Sequence, residues 1–480
     1  MLRLAIGSGE DQRRALWLAV LLAAAAAVYS YRLGHEPLGA SEAYSALAAS
    51  QPTVAQVAQS ALSLDPGKPV LYHLLLHWFC GLFGMSETSL RALSVGFGVA
   101  SVGLVFALAC EWFGFEVGIA AAILWAFNPL AVVFARWARM YSLLVALALG
   151  HLLALSKARR YASAGMLLLA GLLGGAMLYI HFGGILIVGA DLVVVLREFR
   201  REGKSATWPA VALTCLVFAP FAPVALAQSR ALLFGHWLDW LGVGHAAGMG
   251  VWMLGPAAAL ALWMALGCRG AGERRESLQR CLIYVTLPAL ALAVGSILLR
   301  PMLEARYLSP SIAMVAVVAA YWLDGRGARV RNLGTVALAA LFVALLPFCY
   351  AGRPDPWRAI ATRIAAGAKP AEPIFFEAGF FSPDAAAAAD QDSGFPQGFF
   401  RVPFDYYFHE SNPRAVVPAS DPAKARWLIQ ARVNSAGGAW LVSARKWPDA
   451  VAELPVGRDL EVDYAARFAN AILFHVRRGG

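Results

Sequence analysis

The side chains of this sequence that could do chemistry are cations and carboxylates held in short polar stretches between long apolar ones. Lys68 and Arg91, Arg136 and Arg139, and Arg300 and Arg306 recur in this way, with Tyr141 and Tyr307 beside them. A guanidinium grips phosphate through paired hydrogen bonds, so the set favours an anionic ligand. Any one of these cations is equally explained by snorkelling to lipid headgroups. Two acids share the first polar stretch, Glu42 and Asp65. A carboxylate within hydrogen-bond reach takes the proton of an attacking hydroxyl. Glu42 also suits the first turn of a helix capped by Ser41, and Asp65 before Pro66 suits a turn. His73 and His77 stand one helical turn apart, as zinc ligands do, but no third ligand follows. Tyr72, His73, His181 and the run containing Trp237, Asp239 and Trp240 offer aromatic faces and polar groups for a sugar or an acceptor.

Lipid supplies the frame for these residues. Of 480 residues, 59% are hydrophobic and 15% charged, where a soluble domain carries roughly 25% charged. About eleven apolar segments approach the roughly 20 residues needed to cross the hydrocarbon core. They are Ala15–Tyr31, Ala92–Cys110, Val117–Phe134, Ser142–Ser156, Ala162–Ile180, Gly183–Leu196, Pro209–Ala227, Val251–Leu266, Leu282–Leu299, Ser309–Trp322 and Leu333–Cys349. The net charge of +10 forms no patch or arm, which speaks against nucleic acid as a partner.

Loop charge orients the bundle. Alternate loops carry Lys157, Arg159 and Arg160; Arg197, Arg200, Arg201 and Lys204; Arg269, Arg274, Arg275 and Arg280; and Arg326, Arg329 and Arg331. Positive residues collect on the cytoplasmic side, and these loops agree with one another only if His181 marks a turn. The expected topology is a cytoplasmic N-terminus in a plasma membrane (bacterial inner membrane) and an extracytoplasmic C-terminal domain. Asp191 is the one acid central in a span, placed toward the cytoplasmic half and away from a paired midplane site.

The chain divides into a membrane part, 1–350, and a polar part, 351–480. The first outer loop, 32–90, is long enough to be a folded cap. Helical character is expected over Ser41–Ser60, and an interfacial helix from Leu71, where Leu74, Leu75, Trp78 and Leu82 recur on one side. In the polar part Pro356 opens a helix after Asp355. Pro373–Phe381, Arg426–Val433, Ala439–Ala444 and Ala471–Arg477 are expected as strands of a small mixed α/β domain. The six cysteines include none after Cys349, so no disulfide framework holds that domain.

The ordered set of motifs resembles a known family. It comprises Asp65-Pro66-Gly67-Lys68-Pro69-Val70-Leu71-Tyr72-His73, Leu90-Arg91-Ala92-Leu93-Ser94, Ala135-Arg136-Trp137-Ala138-Arg139-Met140-Tyr141, His181-Phe182-Gly183, Arg306-Tyr307-Leu308 and Asp355-Pro356-Trp357-Arg358. These look like the GT-C glycosyltransferases, in the branch of the protein O-mannosyltransferases and the lipid A aminoarabinose transferase. The resemblance implies a polyprenyl-phosphate-linked sugar donor, a lipid, glycan or protein acceptor outside the cytoplasm, inversion at the anomeric carbon, and a first-loop acid as base. It places Lys68 where the aminoarabinose transferase carries a phosphate-binding lysine. No cofactor is required; a divalent cation is compatible with the reaction, but no residue pattern calls for one. The family's first-loop Asp-Glu pair here reads Ser41-Glu42. Three readings follow: Glu42 as base, Asp65 as base, or a polyprenyl-glycolipid binding or transport protein without turnover.

Overall fold

The computed structural model describes residues 9–64, 68–233, 272–298, 304–351, 356–377, 402–417, 422–443, 460–468 and 471–479. The chain is a multi-pass helical membrane protein with a small C-terminal sheet region. Among the described residues seven helices are long and apolar enough to span a bilayer, or eight with one bent pair.

After α1 (Gly9–Ser30) the first loop folds into α2 (Ala40–Ala49), α3 (Val54–Leu64) and α4 (Leu71–Phe83). The helical stretch expected over Ser41–Ser60 is therefore two helices. Pro52 lacks an N–H and disfavours helical backbone at Gln51, and Thr53 restarts the helix by accepting from Gln56 N–H at 3.3 Å. Gly39, rather than Ser41, is the N-cap of α2. Helix α4 buries Tyr72, His73 and Leu76 and leaves Trp78, Leu82 and Phe83 exposed, an apolar face suited to the membrane interface.

The bundle continues with α5 (Glu87–Phe113), α6 (Phe115–Ala126), α7 (Pro129–Ala135), α8 (Tyr141–Tyr161), α9 (Ala164–Ile180), α10 (Gly184–Glu202), α11 (Trp208–Phe218), α12 (Ala222–Leu233), α13 (Glu273–Leu298), α14 (Ser309–Asp324) and α15 (Ala328–Tyr350). The span expected over Val117–Phe134 bends by 63° between α6 and α7. Asn128 causes the break by capping α7, its side chain accepting from Leu130 N–H, and Pro129 fits the first helical position. The span expected at Val251–Leu266 lies outside the described residues. Helices α9 and α11 pack through glycine: a Cβ on Gly171 would come within 2.6 Å of Leu213, and one on Gly175 within 2.3 Å of Val217. In lipid, close packing of this kind replaces the hydrophobic drive of water.

Asp191, the one acid central in an expected span, has two hydrogen-bond partners. His151 Nε2 lies 3.0 Å from Oδ2 and the Tyr284 hydroxyl donates to Oδ1 at 2.6 Å, so one carboxylate ties α8, α10 and α13 together. His151 Nδ1 in turn meets the Ala170 carbonyl of α9 at 2.8 Å. Hydrogen bonds between membrane helices average about 0.6 and reach about 1.7 kcal/mol. Asp191→Leu, which removes two, is expected to cost about 1–3 kcal/mol. A melting curve in detergent checks this; an unchanged melting temperature would mean that the clasp carries no stability.

The basic loops meet at one end of the bundle. Arg13 and Arg331 both reach Glu116, Arg160 reaches Glu111, Arg159 reaches Glu198 at 2.7 Å, and Arg201 reaches Glu276. The first loop and the C-terminal region share the other end. There Arg358 donates to Glu87 at 2.6 Å, Tyr406 to the Met85 carbonyl at 2.6 Å, and Leu38 N–H to the Tyr407 hydroxyl at 2.5 Å.

In the C-terminal region the strands are β1 (Ile374–Glu377), β2 (Arg414–Val417), β3 (Gly438–Ser443), β4 (Leu460–Phe468) and β5 (Ala471–Arg478), in the order β2-β1-β3-β5-β4. Strand β1 is parallel to β2 and β3, and β5 is antiparallel to β3 and β4. Helix α16 (Trp357–Ala365) covers one face through Ile360 and Ile364, packed with Phe376 and Trp440. The other face is covered by α17 (Pro422–Ala436), so Arg426–Val433 is a helix and not the expected strand. Ala425, Ile429 and Val433 are buried at intervals of four residues, a helical period that the run's β-prone composition hides.

Candidate functional site

At the end carrying the C-terminal region, a buried ion pair fixes the backbone. Arg91, one of the cations that snorkelling would explain, is instead buried and only 6% exposed. Its Nε and Nη2 donate to the two oxygens of Glu42 at 2.8 Å each, and its other hydrogens go to the carbonyls of Leu33, Glu36 and Pro37 at 2.9 Å. Glu42, 2% exposed, also accepts from Ala138 N–H at 2.9 Å and Gly39 N–H at 3.0 Å. A carboxylate offers about four lone-pair sites, and here each is occupied. The pair thus ties α2, α5 and the turn between α7 and α8 to one another.

That turn presents the next cation. Arg139 donates to the Ser41 carbonyl at 2.9 Å and to Ser45 Oγ at 3.2 Å. Its own carbonyl accepts from Ser94, which also meets the Tyr72 hydroxyl at 2.9 Å. Arg136 turns elsewhere, donating to the carbonyls of Tyr29 and Tyr31 and lying 4.7 Å from the Tyr350 ring centroid. Carbonyls at the end of α1 need donors, and Arg136 supplies them.

Three rings pack in a row, tilted to one another, beside Arg139. His181 lies 5.8 Å from Tyr141 and 5.2 Å from Tyr307, ring centroid to centroid. The break between α9 and α10 sets it there, because His181 caps α9 and Gly183 precedes α10. Lys68 Nζ lies 5.9 Å from the Tyr307 ring and Arg306 5.4 Å from it, with Glu304 at 3.5 Å from the Arg306 guanidinium. Burial first, then the positive charges of Lys68, Arg139 and Arg306, hold His181 well below the usual imidazole range. Among the described residues two buried polar atoms here have no hydrogen-bond partner, His181 Nε2 and Arg306 Nε.

The site therefore brings together Lys68, Arg139, Tyr141, His181, Arg306 and Tyr307. Tyr72 reaches Arg139 through Ser94, and Arg136 is turned toward α1. His73 is fully buried, while the His77 ring meets the Ala49 carbonyl at 2.8 Å. No group of three His, Cys, Asp or Glu suited to a metal occurs among the described residues. Asp65, Arg300, Trp237, Asp239 and Trp240 lie outside the described residues. The pairing of Glu42 with Arg91 was missed, since no local pattern links residues 49 positions apart.

Residues 67–227 match the sequence family described as dolichyl-phosphate-mannose-protein mannosyltransferase. No curated protein is a significant sequence match. Among solved structures, ArnT from Cupriavidus metallidurans in the apo state superposes with a TM-score of 0.62 at 17% identity, over 98% of each chain. The fold is that of the GT-C glycosyltransferases. ArnT bound to undecaprenyl phosphate gives 0.60 at 17% identity, over 96% of this chain and 98% of that one. The Archaeoglobus fulgidus oligosaccharyltransferase tethered with an acceptor peptide gives 0.51 at 13%, over 89% of this chain and 69% of that one. Within this GT-C fold the matched segment runs from just before Lys68 through His181 to α12, and so contains most of the ring stack.

Proposed function

We propose that this chain is a membrane glycosyltransferase that moves a sugar from a polyprenyl-phosphate donor to an acceptor outside the cytoplasm. The observation that carries this reading is the convergence of Lys68, Arg139 and Arg306 on the Tyr141–His181–Tyr307 stack. Cations fixed where an anion must be held, beside unmatched buried donors, suit a phosphate ester. The fold shared with ArnT, which has been solved with undecaprenyl phosphate, supports that choice of ligand. The N-terminus is cytoplasmic in this reading, the membrane is the bacterial inner membrane, and the C-terminal domain is extracytoplasmic, as the interlinked basic loops at the opposite end favour.

The acceptor oxygen attacks the anomeric carbon, the bond from that carbon to the phosphate oxygen breaks with inversion, and polyprenyl phosphate leaves. Lys68 and Arg306 stabilise its growing negative charge. The acceptor's proton passes to a first-loop carboxylate. Asp65 is the better choice, because Glu42 already carries four hydrogen bonds. That same saturation of Glu42, with Ser41 beside it, favours a rival reading in which the chain binds polyprenyl glycolipid without turnover.

The test is transfer from a panel of radiolabelled polyprenyl-phosphate sugars in membranes containing wild type or Asp65→Asn. Wild type is expected to release polyprenyl phosphate, and Asp65→Asn to lose about 10²–10⁴-fold in turnover. Wild type that binds the donor but releases no polyprenyl phosphate with lipid, glycan or protein acceptors would establish the binding reading instead.

A further inference from the structure

We propose that His181 holds the donor's phosphate through Nε2–H, as a neutral hydrogen-bond donor that takes no part in proton transfer. This rests on the reading above that the site takes a polyprenyl phosphate, and it gives one residue a defined contact within it.

The tautomer follows from one bond. Gly183 N–H donates to His181 Nδ1 at 2.7 Å. A backbone N–H can only donate, so Nδ1 carries no proton and the proton of a neutral ring sits on Nε2. That Nε2–H is buried without a partner among the described residues, in a side chain only 4% exposed. The ring cannot swing to find one, because Tyr141 and Tyr307 flank it and Gly183 holds its other nitrogen. A buried donor left unmatched is costly and calls for an acceptor.

The neighbourhood selects that acceptor. Lys68, Arg139 and Arg306 all bear on the ring electrostatically, and Nε of Arg306, which lies over Tyr307, is buried and unmatched among the described residues. Such a collection of donors fits a phosphate ester, which presents several oxygens and negative charge together. Burial and the three cations keep the imidazole uncharged, so it can donate through Nε2 while Nδ1 keeps its bond to Gly183. A charged ring would protonate Nδ1 and set it against the Gly183 N–H.

Two substitutions separate the ligand contact from the turn. Asn places an amide oxygen near the position of Nδ1, keeping the Gly183 bond and removing the Nε2–H. Gln reaches the position of Nε2 with an amide N–H and gives up the bond to Gly183. The full chain in phospholipid nanodiscs is titrated with undecaprenyl phosphate, with inorganic phosphate as a soluble competitor, and its melting temperature is recorded. His181→Asn is expected to melt like wild type and to bind undecaprenyl phosphate about 10–100-fold more weakly. His181→Gln is expected to melt lower and to recover most of the affinity. Weaker competition by inorganic phosphate in His181→Asn would place the bond on the phosphate itself. An undiminished affinity in His181→Asn overturns the assignment, as does a Gln variant no better than Asn. Wild type that fails to bind undecaprenyl phosphate at all would instead bring down the reading of the site on which the assignment stands.

Discussion

Glu42→Ala is expected to cost about 3–5 kcal/mol of folding stability, the usual price of removing one partner from a buried ion pair. The loss falls on three groups together. Arg91 keeps its three carbonyl partners but loses its counter-charge, and the N–H groups of Gly39 and Ala138 lose their acceptor. Glu42→Gln is the sharper test, because it is nearly isosteric and is also the variant that would silence a catalytic base. Each carboxylate oxygen accepts two bonds: one from Arg91 Nε and Ala138 N–H, the other from Arg91 Nη2 and Gly39 N–H. Whichever way the amide is turned, its NH₂ faces two donors, so Gln is expected to destabilise by a comparable amount. Joint replacement of Glu42 by Leu and Arg91 by Met should recover part of the loss, since an apolar pair leaves no stranded charge. Melting temperatures in detergent decide the matter. A Glu42→Gln protein that melts like wild type but transfers no sugar would return the base to Glu42.

The same pair marks the limit of what the sequence makes legible. The helices of the membrane part were readable because lipid forces each span to be long, apolar and internally hydrogen-bonded. The break at His181 was readable because loop charges agree only with a turn there, and α9 does end at Ile180. What failed was contact between distant polar residues. Glu42 and Arg91 each stood out alone, as did Asp191, but nothing local says that Asp191 will meet His151 and Tyr284. In the C-terminal region the sequence points to the mixed sheet, yet it hides β4 and makes α17 resemble a strand. Strand β4 is an edge strand whose outward positions carry Glu461, Asp463 and Arg467, so its apolar content is too low to read as a run. In α17 the β-prone Trp427, Ile429 and Val433 outweigh the four-residue spacing of the buried positions.

Arg306→Ala is expected to lower turnover by about 10²–10³-fold, the usual loss when one fixed donor to a developing anion is removed. In the proposed transfer, as the bond between the anomeric carbon and the phosphate oxygen breaks, the donor's single negative charge becomes the leaving monoester's nearly double one. The cation that meets that change acts more on the transition state than on the bound donor, so kcat should fall further than affinity. Arg306 is placed for this role, lying over Tyr307 at 5.4 Å with a buried Nε unmatched among the described residues, and its side chain is 31% exposed, so its removal leaves no cavity. The contact with Glu304 is loose at 3.5 Å, so the melting temperature should stay near that of wild type. Arg306→Lys separates charge from geometry: a lysine keeps the charge but lacks the guanidinium fork, and should recover only part of the rate. Lys68→Ala is expected to lower turnover in the same direction, and the double variant to lose less than the product of the two effects, because both cations would act on one phosphate. Full turnover in Arg306→Ala and Lys68→Ala alike would mean that the phosphate is held elsewhere, and the ring stack would then lose its claim to be the reaction centre.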